Sequence, residues 1–548
     1  MFRDHWMGIS RTAVAAAVAV VVAAPALAQN TTAGVGGRVL GTDGLPVAGA
    51  SVSILHVESK STSSTVTDAN GRWSARGLRV GGPYTITISR AGTTDTRTGV
   101  FLQLAETLNL DSLLGARSET VVVTGSRVLA DRFGTSAMGA GTSISSRELG
   151  TLASMTGNLQ DFARIDPRIS QTDKERGEIS ALGQNSRYNS VTVDGVNISD
   201  TFGLESNNLP TAKQPISVHA IQSVQVNVSN YDVTQRGYTG ANINAVTKSG
   251  TNDFHGDIYY SHRDENMAGK RFNRTTGAYT DPAPFKETLQ GFTLGGPILQ
   301  DKLFFFVGYE ESKSSKTSVE FGPIGSPLTN VGITTTAIDA LRSVATNTWG
   351  IDLGTSTPPS GVFTTVKDSL VRLDWTISDA HRAMFRWTKT EQNEPFYSNF
   401  GTRALSLSSH WYQQQKSLET TVAQWFADWS PTFSTEARVS FRDYASEPSN
   451  ASKLPAMAFD FGGVASAGAT GDRTLWSGTE RSRHFNQLFT KTYDAFLGGT
   501  WTLGAHELKF GGELSQNEIF NAFLQDANGQ YKFQCESAYV YSTGPITC

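Results

Sequence analysis

The side chains that most often carry chemistry are thinly spread in this sequence. Its nine histidines are scattered. His255 and His262 fall in one expected strand at an odd separation, so they point to opposite faces and share no metal. Thr247-Lys248-Ser249-Gly250 has the ending of a phosphate-binding loop without the upstream glycine spacing, and suits a junction between domains better. There is no G-x-S-x-G elbow, no H-E-x-x-H pair and no G-x-x-x-x-G-K-[ST] loop. Cys535 and Cys548 are the two cysteines; in an oxidising compartment they suit one loop disulfide, and no cluster of further ligands stands near them for a metal. The expectation is a protein that is not an enzyme and uses no cofactor or metal.

Function must then lie in how the elements are arranged. Hydrophobic residues make up 38% and charged residues 18% of the 548, with a net charge of −4, so there is no basic footprint for nucleic acid and no acidic tail. Aromatics at 10% and 53 glycines favour strands and tight turns over helical bundles. Arg3 and Arg11 precede an apolar run from Ala13 to Ala24, and Ala26-Leu27-Ala28 supplies small residues before Gln29. That is the pattern of a cleaved secretory signal peptide over 1–28. A membrane anchor needs about 20 apolar residues, more than this run offers. No later stretch suits a transmembrane helix, so any membrane crossing must be made by a barrel.

Residues 29–117 read as a small all-β domain. Asp43-Gly44 and Asn70-Gly71 are hairpin-type turn pairs, and Tyr84-Thr85-Ile86-Thr87-Ile88 alternates with the period of two that buries one face. GGRVLGTDGLPVAGASVSI followed by TDANGRWSARGLRVGGPYTITI resembles the carboxypeptidase regulatory-like domain, which implies a transthyretin-like β-sandwich. That fold is akin to carbohydrate-binding sandwiches, so Trp73 and Tyr84 either stack on a sugar or, as such aromatics more often do, fill the core.

From 128 to 250 the pattern is mixed α/β. Ser145 and Glu148 form a capping box, and a second helical turn from Leu159 to Ile165 must end near Pro167. VTVDGVNI, then QPISVHAIQSVQVNVSNYDV, then GYTGANINAVTKSGTNDFHGDIYY resemble, in that order, the plug of a TonB-dependent receptor of the Oar-like branch. Arg187, Asp194, Gly195, Gly240, Asn242 and Gly250 are assigned to the architecture of this plug. The β-branched run just before it, within 118–127, suits strand addition to another protein's sheet or a plain linker. The resemblance implies that Glu119, Thr120, Val121, Val122, Val123 and Thr124 form a TonB box.

After residue 250, alternation becomes the dominant signal. Val371, Leu373, Trp375 and Ile377 interleave with Arg372, Asp374 and Thr376; Ala437, Val439 and Phe441 interleave with Arg438 and Arg442. Short connections such as Ser378–Ala380 and Gly504–Ala505 alternate with long ones such as Ser312–Val366 and Ala445–Arg481, the signature of a transmembrane barrel. Candidate strands fall near 254–262, 288–298, 303–310, 370–377, 381–390, 420–429, 435–444, 486–503 and 507–520. A plugged transporter barrel has about 22. The expected fold is therefore mainly β: a sandwich, a small α/β plug and an incomplete antiparallel barrel over 251–548, the first part of a longer protein.

The resemblance implies an outer-membrane receptor and transporter whose partners are TonB of the inner-membrane energy-transducing complex and outer-membrane lipid. Its ligand would be extracellular: a carbohydrate, a peptide or an iron chelate. The sandwich and plug would face the periplasm. A barrel-anchored adhesin or export factor, and a soluble periplasmic binding protein, are the alternatives.

Overall fold

The computed structural model describes residues 31–115 and 139–534, apart from 153, 155–156, 175, 231–232, 234–235, 275, 283, 316–318, 359–361, 463–470 and 505. The expected signal peptide, the box-like segment Glu119–Thr124, and both cysteines lie outside the described residues.

The N-terminal strands form two facing sheets. One carries Thr62–Val66, Ser51–His56, Gly81–Arg90 and Thr93–Leu102 in spatial order. In the other, Ala33–Gly41 lies between Arg72–Leu78 and the short strands Thr107–Asn109 and Ser112–Leu114. Period-two alternation drives the inner faces together, with Val35, Val52, Ile54, Ile86 and Ile88 in the core. Trp73 and Tyr84 belong to that core, at 5% and 2% exposure, so neither ring is free to stack on a sugar. The Tyr84 hydroxyl donates to the Arg79 carbonyl at 2.8 Å, which satisfies the polar end of a buried ring.

The α/β unit is a five-stranded mixed sheet in the order Val196–Asn197, Ser190–Val193, Asn242–Thr247, Ile221–Asn230, Gly139–Ser145. The Ser145–Glu148 capping box opens the helix Ser146–Thr151. A second helix, Leu159–Ala163, stops with Arg164 as its C-cap, ahead of Pro167. The core of this unit includes Phe306 and Leu370, which come from the large sheet. The two bodies are thus packed as one.

That large sheet is a nine-stranded antiparallel meander: His255–Asp264, Lys286–Leu299, Leu303–Ser315, Phe363–Ser378, His381–Phe396, Tyr412–Ser430, Phe433–Asn450, Phe485–Leu503 and His506–Leu524. It is open, each terminal strand being paired on one side. All nine expected strands are present, and most are longer than expected. The reason is visible in the outward positions. Near the short turns they are apolar or aromatic: Leu373, Trp375 and Ile377, then Phe385 and Trp387, then Val439 and Phe441. Farther along the same strands they turn charged, with Lys367, Lys389 and Asp443. The pleat therefore continues past the apolar band. At the short-turn end, His381, Trp425 and Trp429 cluster with ring centroids 5.3–5.7 Å apart, His381 stacked on Trp425 and Trp429 edge-on to both, as in an interfacial girdle.

The sandwich sits at that same end. Arg72 donates to the Gly504 carbonyl at 3.0 Å, and Arg382 donates to Ser63 Oγ at 2.7 Å and the Arg76 carbonyl at 2.9 Å. At the opposite end the long connections fold together. The helix Thr335–Trp349 packs on a four-stranded sheet of Ala404–Ser406, Asp472–Ser477, Ala456–Gly462 and Gln530–Gln534 around Leu341, Leu405, Phe459 and Leu475. One outcome checks the outward face: Val439→Arg, in mid-band, lowers folding stability in phospholipid vesicles by about 2–4 kcal/mol. Asp443→Arg, on the same face beyond the band, costs far less in the same equilibrium unfolding measurement.

Candidate functional site: a charged seam between the α/β unit and the sheet

Where the α/β unit meets the concave face of the large sheet, apolar packing by Phe306 and Leu370, and by Val196 against Met384 and Val422, is joined by a seam of ionised and hydrogen-bonding groups. It begins with a conflict in the sheet. Arg372 and Arg386 are register partners on adjacent strands, both inward and buried. Like charges directly opposite one another are destabilising, so an anion must lie between them.

Asp194 is that anion. It occupies the turn after Ser190–Val193 with a left-handed φ of +46°, a conformation that aspartate tolerates better than most residues. Arg386 Nη1 donates to its Oδ2 at 2.7 Å, and Arg372 Nη1 stands 3.6 Å from its Oδ1. Thr247 adds its backbone N–H and its hydroxyl, both at 2.9 Å. Burial pushes the Asp194 carboxyl up, but Arg386, Arg372 and the two Thr247 bonds outweigh it and hold the group below the usual carboxylate range. Arg372 closes the arrangement with a two-pronged bond to Asp374 at 2.7 and 2.8 Å. Gly195, at φ +75°, faces Arg438, and a Cβ there would collide with the guanidinium. Glycine thus answers both the turn and the approach.

Lys213 carries the opposite sign. Its ammonium binds Glu310, and lies 3.2 Å from Asp368. Glu310 also accepts from Ser217 and, at 2.8 Å, from the Tyr259 hydroxyl, while Thr390 donates to Asp368 at 2.6 Å. Burial opposes the charge on Lys213, yet Glu310 and Asp368 raise it above the usual lysine range. A third group of contacts joins Lys416 to Glu205, and Arg442 to the Asn197 carbonyl at 2.6 Å and Thr201 Oγ1 at 2.6 Å.

The residues singled out from sequence fall in different places. Asp194 and Gly195 sit in the seam. Asn242 is fully buried in the α/β sheet, beside Ser190. Gly240 lies against Asn189 and the Tyr188 carbonyl, and its N–H donates to that carbonyl at 2.9 Å. At Gly250 a Cβ would collide with the Phe305 carbonyl, so the chain enters the large sheet in backbone contact with it. Arg187 is in an exposed turn and takes no part in the seam's bonds. The Thr247–Gly250 run is the joint between the two sheets: Lys248 N–H donates to the Ala220 carbonyl at 2.8 Å. His255 bonds near Thr251 and His262 near Asp264, on opposite faces of their strand. Among the described residues no group of three or more His, Cys, Asp or Glu is placed to hold a metal.

Lys213, Glu310 and Asp368 do not stand out in the sequence. The one signal that sequence offers is the pairing of inward arginines on neighbouring strands, which demands a counter-charge without naming it.

Two outcomes follow from this geometry. Lys213→Ala leaves Glu310 and Asp368 facing each other and weakens docking of the α/β unit by about 3–5 kcal/mol, seen as faster amide exchange and protease cutting in 190–250. As to pH, the Asp194 contribution is present above the undocked value near ~4 and is lost as pH falls through its depressed one. The Lys213 contribution is complete below roughly 10.4 and is lost as pH rises through its raised value. Neither Asp194 nor Lys213 therefore gives docking a pH dependence between about pH 5 and 9; the Asp194 signature is faster exchange as pH falls below about 4, and exchange rates level through that range would contradict this assignment.

Known proteins bear on the whole arrangement. A model described as outer membrane beta barrel domain matches residues 246–348 and 353–543, and one described as carboxypeptidase regulatory-like domain matches 34–115. The chain is 28% identical over 317 residues to the TonB-dependent transporter Oar of Myxococcus xanthus, covering 56% of this chain and 29% of that protein. It thus spans under a third of the length of that relative. Its fold is similar to the outer membrane transporter YddB from Escherichia coli, with a TM-score of 0.53 and 12% identity, over 74% of this chain and 51% of that one. With over half of its residues matched, and with the apolar band and girdle described above, the chain belongs to the outer-membrane β-barrel family.

Proposed function

We propose that the protein to which this chain belongs is a TonB-dependent outer-membrane transporter. In this reading the α/β unit is a plug, and the seam holds it inside the barrel. A ligand bound on the side of the long connections is admitted when TonB, drawing on the inner-membrane proton gradient, pulls on Glu119–Thr124 and rearranges the plug. Work enters mechanically, so no nucleotide site is needed.

The observation that carries the reading is the seam. A plug meant to stay would be fixed most cheaply by apolar packing, because replacing buried ion pairs with well-packed apolar groups is often neutral or stabilising. A plug meant to move needs contacts that water can replace once the lumen opens. Arg372, Arg386, Lys213, Arg442 and Lys416 supply such contacts. Similarity to the Oar transporter supports the same reading, and the Oar protein is a transporter by name.

Deleting Glu119–Thr124 from the full-length protein tests it. Uptake of the cargo falls to background while the protein still reaches the outer membrane in normal amount. Retained uptake would overturn the reading, and loss of surface attachment alone would favour an anchoring role.

A further inference from the structure

The sandwich is seated on the rest of the molecule differently from the α/β unit. The core of the α/β unit includes Phe306 and Leu370 of the large sheet. Among the described residues, no side chain of either other body joins the sandwich core. In place of a packed interface there is a cavity of about 960 Å³ lined by all three bodies. Single polar contacts hold the sandwich around that space. At the joint, Arg79 donates to Ser249 Oγ at 3.0 Å and to the Gly250 carbonyl at 2.9 Å. Beside it, the Asn252 N–H donates to the Glu58 carbonyl at 3.0 Å. At the last hairpin of the sheet, Arg76 pairs with Glu507 and Arg72 reaches the Gly504 carbonyl. Between these two ends, Arg382 binds Ser63 and the Arg76 carbonyl.

Contacts of this kind yield readily. Exposed ion pairs contribute little, and water takes the place of each hydrogen bond as the surfaces part. The α/β unit has buried ion pairs and apolar packing as well, and breaking a buried pair costs far more. The order of the chain adds a second asymmetry. Glu119–Thr124 lies between the sandwich, whose last strand ends at Leu114, and the α/β unit, whose first strand begins at Gly139. From Leu114 to Glu119 there are five residue steps, and from Thr124 to Gly139 there are fifteen. Even fully extended, the first stretch reaches only about 18 Å, whereas the second reaches about 50 Å. A pull that carries Glu119 more than about 18 Å from Leu114 must displace the sandwich. The α/β unit need not move until the longer stretch is drawn out.

We infer that the sandwich is a force-sensitive latch, which leaves its seat before the plug leaves the seam. The turn from Gly77 to Gly81 gives that order a consequence. It lies against Arg382 and Phe426, and a Cβ at Gly81 would stand 2.6 Å from Gln222 Nε2 of the α/β unit. While this turn is in place and Arg79 holds Ser249 and Gly250, the end of the strand Asn242–Thr247 is braced. Undocking of the sandwich removes the brace. That the pull acts on Glu119–Thr124 rests on the transporter reading, whereas the seat and its contacts do not.

The test pulls on the full-length protein in lipid nanodiscs, its barrel fixed to a surface and a magnetic bead attached through biotin at Val122. Cys535→Ser and Cys548→Ser leave only introduced thiols to react. Two rupture events are expected, the sandwich first and the plug second. Arg382→Gln should bring on the first event about tenfold faster at a given force and leave the second in place. Ser63→Cys with Arg382→Cys, joined by a short bismaleimide, should abolish the first event and hold back the second until the sandwich itself unfolds. The same pair capped singly with N-ethylmaleimide should do neither. A single event, or a plug that leaves at its usual force while the sandwich is cross-linked, overturns the latch. If the cysteine pair does not assemble, Arg382→Gln alone decides, and a first event that it fails to move overturns the latch as well. Because the bead supplies the force, none of these results depends on TonB. A failed latch, with uptake still abolished by deleting Glu119–Thr124, leaves the transporter reading standing.

Discussion

Two arginines placed directly opposite one another in a buried sheet set the terms for the rest of this structure. Arg372 and Arg386 cannot be accommodated on the concave face without an anion between them, and the sheet's own strands supply only part of the answer in Asp374. The remainder comes from Asp194, which lies 192 residues before Arg386 in the chain. The turn must therefore be held at one height and one angle inside the sheet. A glycine at 195, Thr247 at the end of the neighbouring parallel strand, and Gln424 donating to the Asp194 carbonyl at 3.1 Å all serve that placement. Register in the α/β unit and register in the large sheet are thus coupled through one carboxylate.

The same logic, with signs exchanged, operates at Lys213. There the sheet presents two carboxylates, Glu310 and Asp368, on adjacent strands in register. The α/β unit brings the cation. An α/β unit with charges of one sign would bind the sheet at one of these places and be repelled at the other. Alternating signs fix its orientation as well as its position, which is the use of buried ionic groups that is best attested physically.

Much of the fold was legible because period-two alternation is a local signal. The nine strands, their short turns, the capping box at Ser145 and the sandwich pattern all depend on residues near one another in sequence. The seam was legible in part. Asp194-Gly195 could be recognised as a turn, but its partners lie in strands that become neighbours only when the sheet forms. The cap over the far end was not legible at all. Its core draws Leu341, Leu405, Phe459 and Leu475 from three separate connections, each too polar on its own to announce a domain. Trp73 and Tyr84 were ambiguous for another reason: alternation places a ring on a face without saying whether another sheet covers that face.

The joint at 247–250 shows how these parts act on one another. Thr247 bonds Asp194 and Arg372 in the seam, the Lys248 N–H bonds the Ala220 carbonyl, and Gly250 presses on the large sheet. Arg79 of the sandwich bonds the last two of these four residues. A pull that rotated the strand Asn242–Thr247 would draw Thr247 away from the arginines and, through the next three residues, would strain the Arg79 contacts. Under such a pull the sandwich and the seam would not release independently. Whichever contact yielded first would lower the cost of the other, because both are strung on the same short piece of backbone, which is in close contact with the Phe305 carbonyl at Gly250.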